Sequence, residues 1–127
     1  MYIFYNLNFH KYTEPCFQFL KSNFPNIFIE YGDSRVAIPK FINSNNDIKF
    51  DLIHIDGSHE ERYFSHDFEN SRKLSTKDTI LIFDDTTPGN TLDVFLKEKM
   101  KQGIIKKVDY DFLNLKNASI QIVCTFV

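Results

Sequence analysis

The chain has 127 residues, 43% of them apolar, with 15 basic side chains set against 17 acidic ones for a formal charge of -2. A chain of this size forms one domain, residues 1-127, and so even a charge balance provides no broad basic field of the kind that non-specific nucleic-acid binding needs. No run approaches about 18 apolar residues, and the opening Met1 to Asn6 is too quickly interrupted for a signal peptide, so neither a membrane span nor a leader is expected and the expected location is cytoplasmic.

Fourteen Phe and six Tyr, with no Trp, supply most of the large side chains for a core. Lys outnumbers Arg 12 to 3, which we read as coding bias. Cys16 and Cys124 lie far apart within apolar stretches and form no CxxC pair. Both are therefore expected to be buried thiols in a reducing compartment.

In chain order, short apolar runs predict strands at Tyr2 to Tyr5, Ile27 to Tyr31, Phe50 to Ile55 and Thr79 to Phe83. Helical segments alternate with them. Thr13 to Phe24 starts with a candidate N-cap at Thr13, has Glu14 and Pro15 in its first turn, and places Phe17, Leu20 and Phe24 on one face. Within Ser34 to Asn43, Pro39 predicts a turn and then a short helix carrying Phe41 and Ile42. Glu60 to Lys73 has acids first and bases last, as the helix dipole favours, with Phe64 and Phe68 facing inward. A fourth helix spans about Asn90 to Gln102 on Leu92, Phe95, Leu96 and Met100, and stops at Gly103.

Beyond Gly103, Ile104 to Tyr110 and Ile120 to Val127 are separated only by a polar stretch, which predicts an antiparallel pair. The whole reads as an α/β sheet with helices on both faces. In such sheets ligands bind at the carboxyl ends of the strands. That edge carries Asn6, then Gly32-Asp33-Ser34, then Asp56-Gly57-Ser58-His59, then Asp84-Asp85-Thr86 with Gly89 beyond. Three of the four glycines fall there, as close approach to a ligand or turns with positive φ would require. Each residue also has a plainer reading. Asp33 or Ser34 caps the following turn, Asp84-Asp85 caps the fourth helix, and His59 is a capping or surface group. His10, His54 and His66 have no acidic strand-end context and read as surface or packed residues.

The segment FDLIHIDGSH, Phe50 to His59, followed by a helix and then DTILIFDD, Asp78 to Asp85, resembles class I S-adenosylmethionine-dependent methyltransferases with an "IDG-x-H" and a later "DD" strand end. Tyr31-Gly32-Asp33-Ser34 with Ile38-Pro39 is similar to the same family's "GDS" turn and helix start. The resemblance implies a Rossmann-like, mostly parallel sheet ending in an antiparallel strand pair. It also implies S-adenosylmethionine as cofactor and O-methyl transfer to a hydroxyl of a small molecule, a sugar or a phenol.

Residue by residue, the resemblance puts Asn6 on the ribose-binding position, where an amide lacks the acceptor strength of a carboxylate. It puts Asp33 on the adenine contact with Ser34 beside it. Asp56, Asp84 and Asp85 fall on divalent-metal ligands, with magnesium as the suitable ion, and His59 on the general base. The family's first strand and glycine-rich loop should precede Met1, and no G-x-G-x-x-G occurs, so the first βα unit is expected to be missing and the domain N-terminally truncated relative to the family. Tyr2 to Tyr5 and Phe50 to Ile55 should then either pair with each other or flank an open slot. A homo-oligomer or a completing chain would fill it. Two rivals stand beside the enzyme: a noncatalytic remnant or interaction module with the same fold, and a doubly wound phosphoryl-transfer domain holding magnesium.

Overall fold

A computed structural model of the chain describes residues 2–5, 11–108 and 121–127, with side chains from residue 11 onward. Its elements are β1 (Tyr2–Tyr5), α1 (Thr13–Asn23), β2 (Phe28–Tyr31), α2 (Ser34–Ser44), β3 (Phe50–Ile55), α3 (Glu61–Lys73), β4 (Ser75–Phe83), α4 (Thr91–Lys101), β5 (Ile105–Lys107) and β6 (Ile122–Phe126). The expected alternation is present. Among the described residues no helix is long and apolar enough to cross a membrane. The fold divides into two compact units, Met1–Asn46 and Asp47–Val127.

In the first unit β1 and β2 pair in parallel from Tyr2↔Phe28 to Tyr5↔Tyr31. Thr13 is the first residue of α1 and not its cap; Tyr12 occupies the cap position without a side-chain hydrogen bond. At the other end Lys21 closes the helix, donating from Nζ to the carbonyls of Pro25 and Ile27, each at 2.7 Å. Phe17 and Leu20 are half-buried as the periodicity predicts, whereas Phe24 lies past the last turn and is 59% exposed. Cys16 is exposed, contrary to the burial expected for both thiols, because it sits off the stripe that Phe17 and Leu20 turn inward.

The segment after β2 also departs from expectation. α2 is one continuous 11-residue helix with Pro39 inside it, not a turn followed by a short helix. Proline cannot donate the bond to the carbonyl four residues back. Two features offset that loss: the Asp33 side chain accepts from Arg35 N–H at the N-terminus, and Phe41 is buried.

The second unit holds a four-stranded mixed sheet in the order β3-β4-β6-β5. β3 and β4 are parallel, and β6 is antiparallel to both β4 and β5. The expected antiparallel pair forms, but β6 enters between β4 and β5 because Val123 to Phe126 are all buried and need a neighbour on each side. β5 is an edge strand of three residues with exposed Lys106 and Lys107. Residues 109–120, which include the whole polar stretch, lie outside the described residues. β1 and β3 do not pair with each other; they belong to separate sheets.

The core of this unit joins Phe64 and Phe68 of α3 and Leu92 and Leu96 of α4 to Leu81, Phe83, Cys124 and Phe126. Phe68 makes edge contacts with Phe95 at 5.3 Å and Phe126 at 5.4 Å between ring centroids. Leu81 pairs with Cys124, so these inward residues share one sheet face, and both helices of the unit pack there. β4 begins at Ser75, earlier than its apolar run suggests, because Thr79 donates its hydroxyl to the Phe50 carbonyl at 2.6 Å and draws the polar start of the strand into the sheet.

Candidate active site

β3 and β4 end in register at Ile55↔Phe83, and Asp84 N–H donates to the Ile55 carbonyl at 3.1 Å. Asp56 and Asp84 therefore leave from adjacent parallel strand ends, where the sequence places them. Asp56 is exposed. Asp84 is half-buried, and its Oδ1 accepts from Asp85 N–H at 2.9 Å and from Gln121 Nε2 at 3.2 Å. Gln121 is a site residue that sequence reasoning missed. Only the antiparallel register Phe83↔Ile122 brings the start of β6 to the end of β4.

Asp85 has φ +52, the one positive φ at a residue other than glycine among the described residues. Its carbonyl accepts from Thr87 N–H at 2.9 Å and from Asn90 Nδ2 at 2.7 Å. Its carboxylate Oδ2 lies 3.6 Å from His59 Nε2, with both side chains about half exposed. That separation suits an ion pair but is too long for a direct hydrogen bond. His59 is not a helix cap, since Glu60 holds the N-cap position of α3. Asp84 and Asp85 do not cap α4 either. Asn90 does, its Oδ1 accepting from Asp93 N–H at 2.8 Å.

Beneath this loop Asp93 is buried at 3% exposure and accepts from Gly89 N–H at 2.7 Å and Lys97 Nζ at 2.8 Å. The Gly89 amide, and after it the Lys97 ammonium, hold the Asp93 carboxyl below the usual carboxylate range. Turn geometry accounts for the glycines at positions 32 and 89, with φ +141 and +86, values that side chains avoid. Gly57 is different: it has no positive φ, and a Cβ there would meet only the end of the Asp67 side chain, Oδ2 at 3.4 Å, an ordinary contact.

In the first unit Asp33 is the N-cap of α2, and Arg35 engages its carboxylate through the backbone N–H and the guanidinium. Ser34 is the first residue of that helix. Asn6 and His10 lie outside the described residues, while His54 and His66 are exposed. The three aspartates are the oxygen donors magnesium takes. Among the described residues no group of three or more His, Cys, Asp or Glu side chains is gathered to hold a metal ion.

The sequence finds no match among curated proteins. Solved structures do resemble it. One is CalS11, a TDP-rhamnose 3'-O-methyltransferase of calicheamicin biosynthesis, with TM-score 0.70 and 14% identity over 98% of this chain and 56% of that one. Another is a Klebsiella pneumoniae protein assigned as an O-methyltransferase, with TM-score 0.67 and 13% identity over 98% of this chain and 60% of that one. At such identities the likeness is one of fold, and this chain spans a little over half the length of either protein. Residues 9–86 match the methyltransferase domain family, more than half of the chain and the whole stretch from before α1 through β4 to the Asp84-Asp85 strand end, so the chain belongs to that family.

Proposed function

We propose that this chain is part of an S-adenosylmethionine-dependent O-methyltransferase acting on a hydroxyl of a small molecule, a sugar or a phenol, with His59 as general base. The observation that supports it best is the placement of His59 3.6 Å from the Asp85 carboxylate, beside the shared end of two parallel strands in a methyltransferase-family domain. S-adenosylmethionine, when bound, supplies a methyl group on a sulfonium sulfur. The role of His59 Nε2 would be to take the proton of the acceptor hydroxyl as that oxygen gains the methyl group. Asp85 stabilises the resulting imidazolium by its charge. Ser34 and Asp33, with Asn6, are the residues proposed for the cofactor's adenosine end.

Asp56, Asp84 and Asp85 are the residues proposed to hold magnesium, which takes such oxygen donors. A second reading, the noncatalytic remnant, draws on Asp33, whose carboxylate is engaged by its own helix and by Arg35. Calorimetric titration with S-adenosylmethionine separates the two, since the remnant gives no binding heat. If transfer of labelled methyl to sugar nucleotides or phenols is observed, His59→Ala lowers it by about 100-fold or more, the usual worth of a positioned base. Activity within a few-fold of the parent would remove His59 from that role.

A further inference from the structure

We infer that Asn90 is a positioning residue: its side-chain amide latches the Asp85 peptide in the left-handed conformation that turns the Asp85 carboxylate toward His59. The inference rests on the reading of His59 as base. An N-cap needs only an acceptor, and Ser, Thr or Asp supplies one as well as Asn does. Here the Oδ1 of Asn90 makes that cap to Asp93 N–H, while the Nδ2 donates to the Asp85 carbonyl at 2.7 Å. The second bond requires a donor as well, which an Asp cap lacks.

The rest of the loop gives the latch a fixed base. Asn90 N–H donates to the Thr87 carbonyl at 2.9 Å, and Thr87 N–H donates to the Asp85 carbonyl, also at 2.9 Å. The next residue before Asn90 is tied down as well, Gly89 N–H donating to the buried Asp93 carboxylate. A positive φ outside glycine persists only when its surroundings hold it. Asp85 directs two bonds through its carbonyl into this loop, and its Oδ2 faces His59 Nε2 at 3.6 Å. Turning the Asp85 peptide back would redirect the side chain from the same Cα.

Asn90→Asp is the informative variant. It keeps an acceptor for Asp93 N–H, removes the donor, and sets an oxygen against the Asp85 carbonyl. The readout is the His59 ring cross-peak in a carbon–proton NMR spectrum at one pH where imidazole is neutral, assigned by its loss in His59→Gln. Asn90→Asp is expected to move that peak to the position it takes in Asp85→Ala, with the melting temperature within about 2 °C of the parent because the cap survives. A peak left in place by Asn90→Asp while Asp85→Ala moves it overturns the latch, and so does a peak that neither variant moves. If Asn90→Asp fails to fold, Asp85→Gly decides instead. Glycine takes the left-handed conformation freely, so Asp85→Gly should melt several degrees above Asp85→Ala, and equal melting overturns the proposal. Where methyl transfer is measurable, kcat of Asn90→Asp falls about tenfold with KM unchanged, as for an interaction made only in the transition state. An unchanged kcat alongside a displaced peak would also sink it. The ring signature needs no turnover, so failure of the methyltransferase reading leaves the test of the latch intact.

Discussion

The two compact units draw on the same aromatic residues and bury them to different depths. In Asp47–Val127, Phe64, Phe68 and Phe83 are sealed in one cluster with Leu81, Leu96 and Cys124. In Met1–Asn46 the buried apolar side chains among the described residues are Ile27 and Phe41, while Tyr12, Phe19, Phe24, Phe28 and Val36 are each at least 45% exposed. A groove of about 430 Å³ beside Ile27 is lined by Leu20, Phe24 and Pro25. Apolar periodicity tells that a segment has a face to bury; it does not tell that the described chain supplies the cover. The helix α3 and the helix α1 show the same kind of stripe, and only α3 has a filled core against it.

The largest expected effect follows from that contrast. Phe68 is fully buried against Phe83, Phe95 and Phe126, so Phe68→Ala should cost about 4 kcal/mol in urea unfolding, the range for a fully enclosed aromatic. Phe41→Ala, in the thinner core, should cost roughly half as much, because its surroundings can collapse into the space. Equal losses for the two substitutions would mean that the first unit is as well packed as the second.

The cysteines test the same contrast without mutation. Cys16 is exposed on α1, whereas burial pushes the Cys124 thiol up to about 12. An aromatic disulfide reagent at pH 8 should therefore consume one thiol at the rate of a free cysteine and the other at least about 1000-fold more slowly, because thiolate and access are both scarce in the core. Comparable rates would show that the cluster around Cys124 opens as readily as the first unit.

What was legible in the sequence follows the range of the interactions concerned. Helices α3 and α4 could be placed from Phe64 with Phe68 and Leu92 with Leu96, since an inward stripe is a local property of spacing. The carboxylates at the ends of β3 and β4 could be placed too, because strand ends follow from the same runs. The insertion of β6 between β4 and β5 could not, as it depends on pairing between residues some 40 positions apart, Phe83 with Ile122 for example. Gln121 was invisible for that reason. Asn90 was within reach: an Asn directly before an apolar-periodic run is a start signal for a helix. Its second bond, to Asp85, depends on the folded loop. Asp33 shows the remaining ambiguity, because a carboxylate after a strand looks the same in sequence whether it caps a helix or meets a ligand.

The smallest expected effect compares one carboxylate from each unit. Both sit below the usual carboxylate range: Glu14 through the hydrogen bond donated by the Tyr31 hydroxyl and then that from Gln18, Asp93 through Gly89 N–H and then Lys97. Glu14 is exposed, where water screens and competes for such contacts, so Glu14→Gln should leave the acid limb of the stability curve in place. Asp93 is buried in the loop that carries the Asn90 cap. A carboxyl whose folded value is depressed stabilises the fold above its unfolded value, near 3.9, and that contribution is lost as pH falls through the folded value. Asp93→Asn should therefore cost about 1 kcal/mol at neutral pH, the worth of a charge-assisted hydrogen bond at a helix start, and the gap to the parent should close as pH falls below about 4. Urea unfolding at pH 7 and pH 3 measures both ends of that window. A gap that persists undiminished at pH 3 would show that the Asn substitution acts through packing and not through the charge held by Gly89 and Lys97.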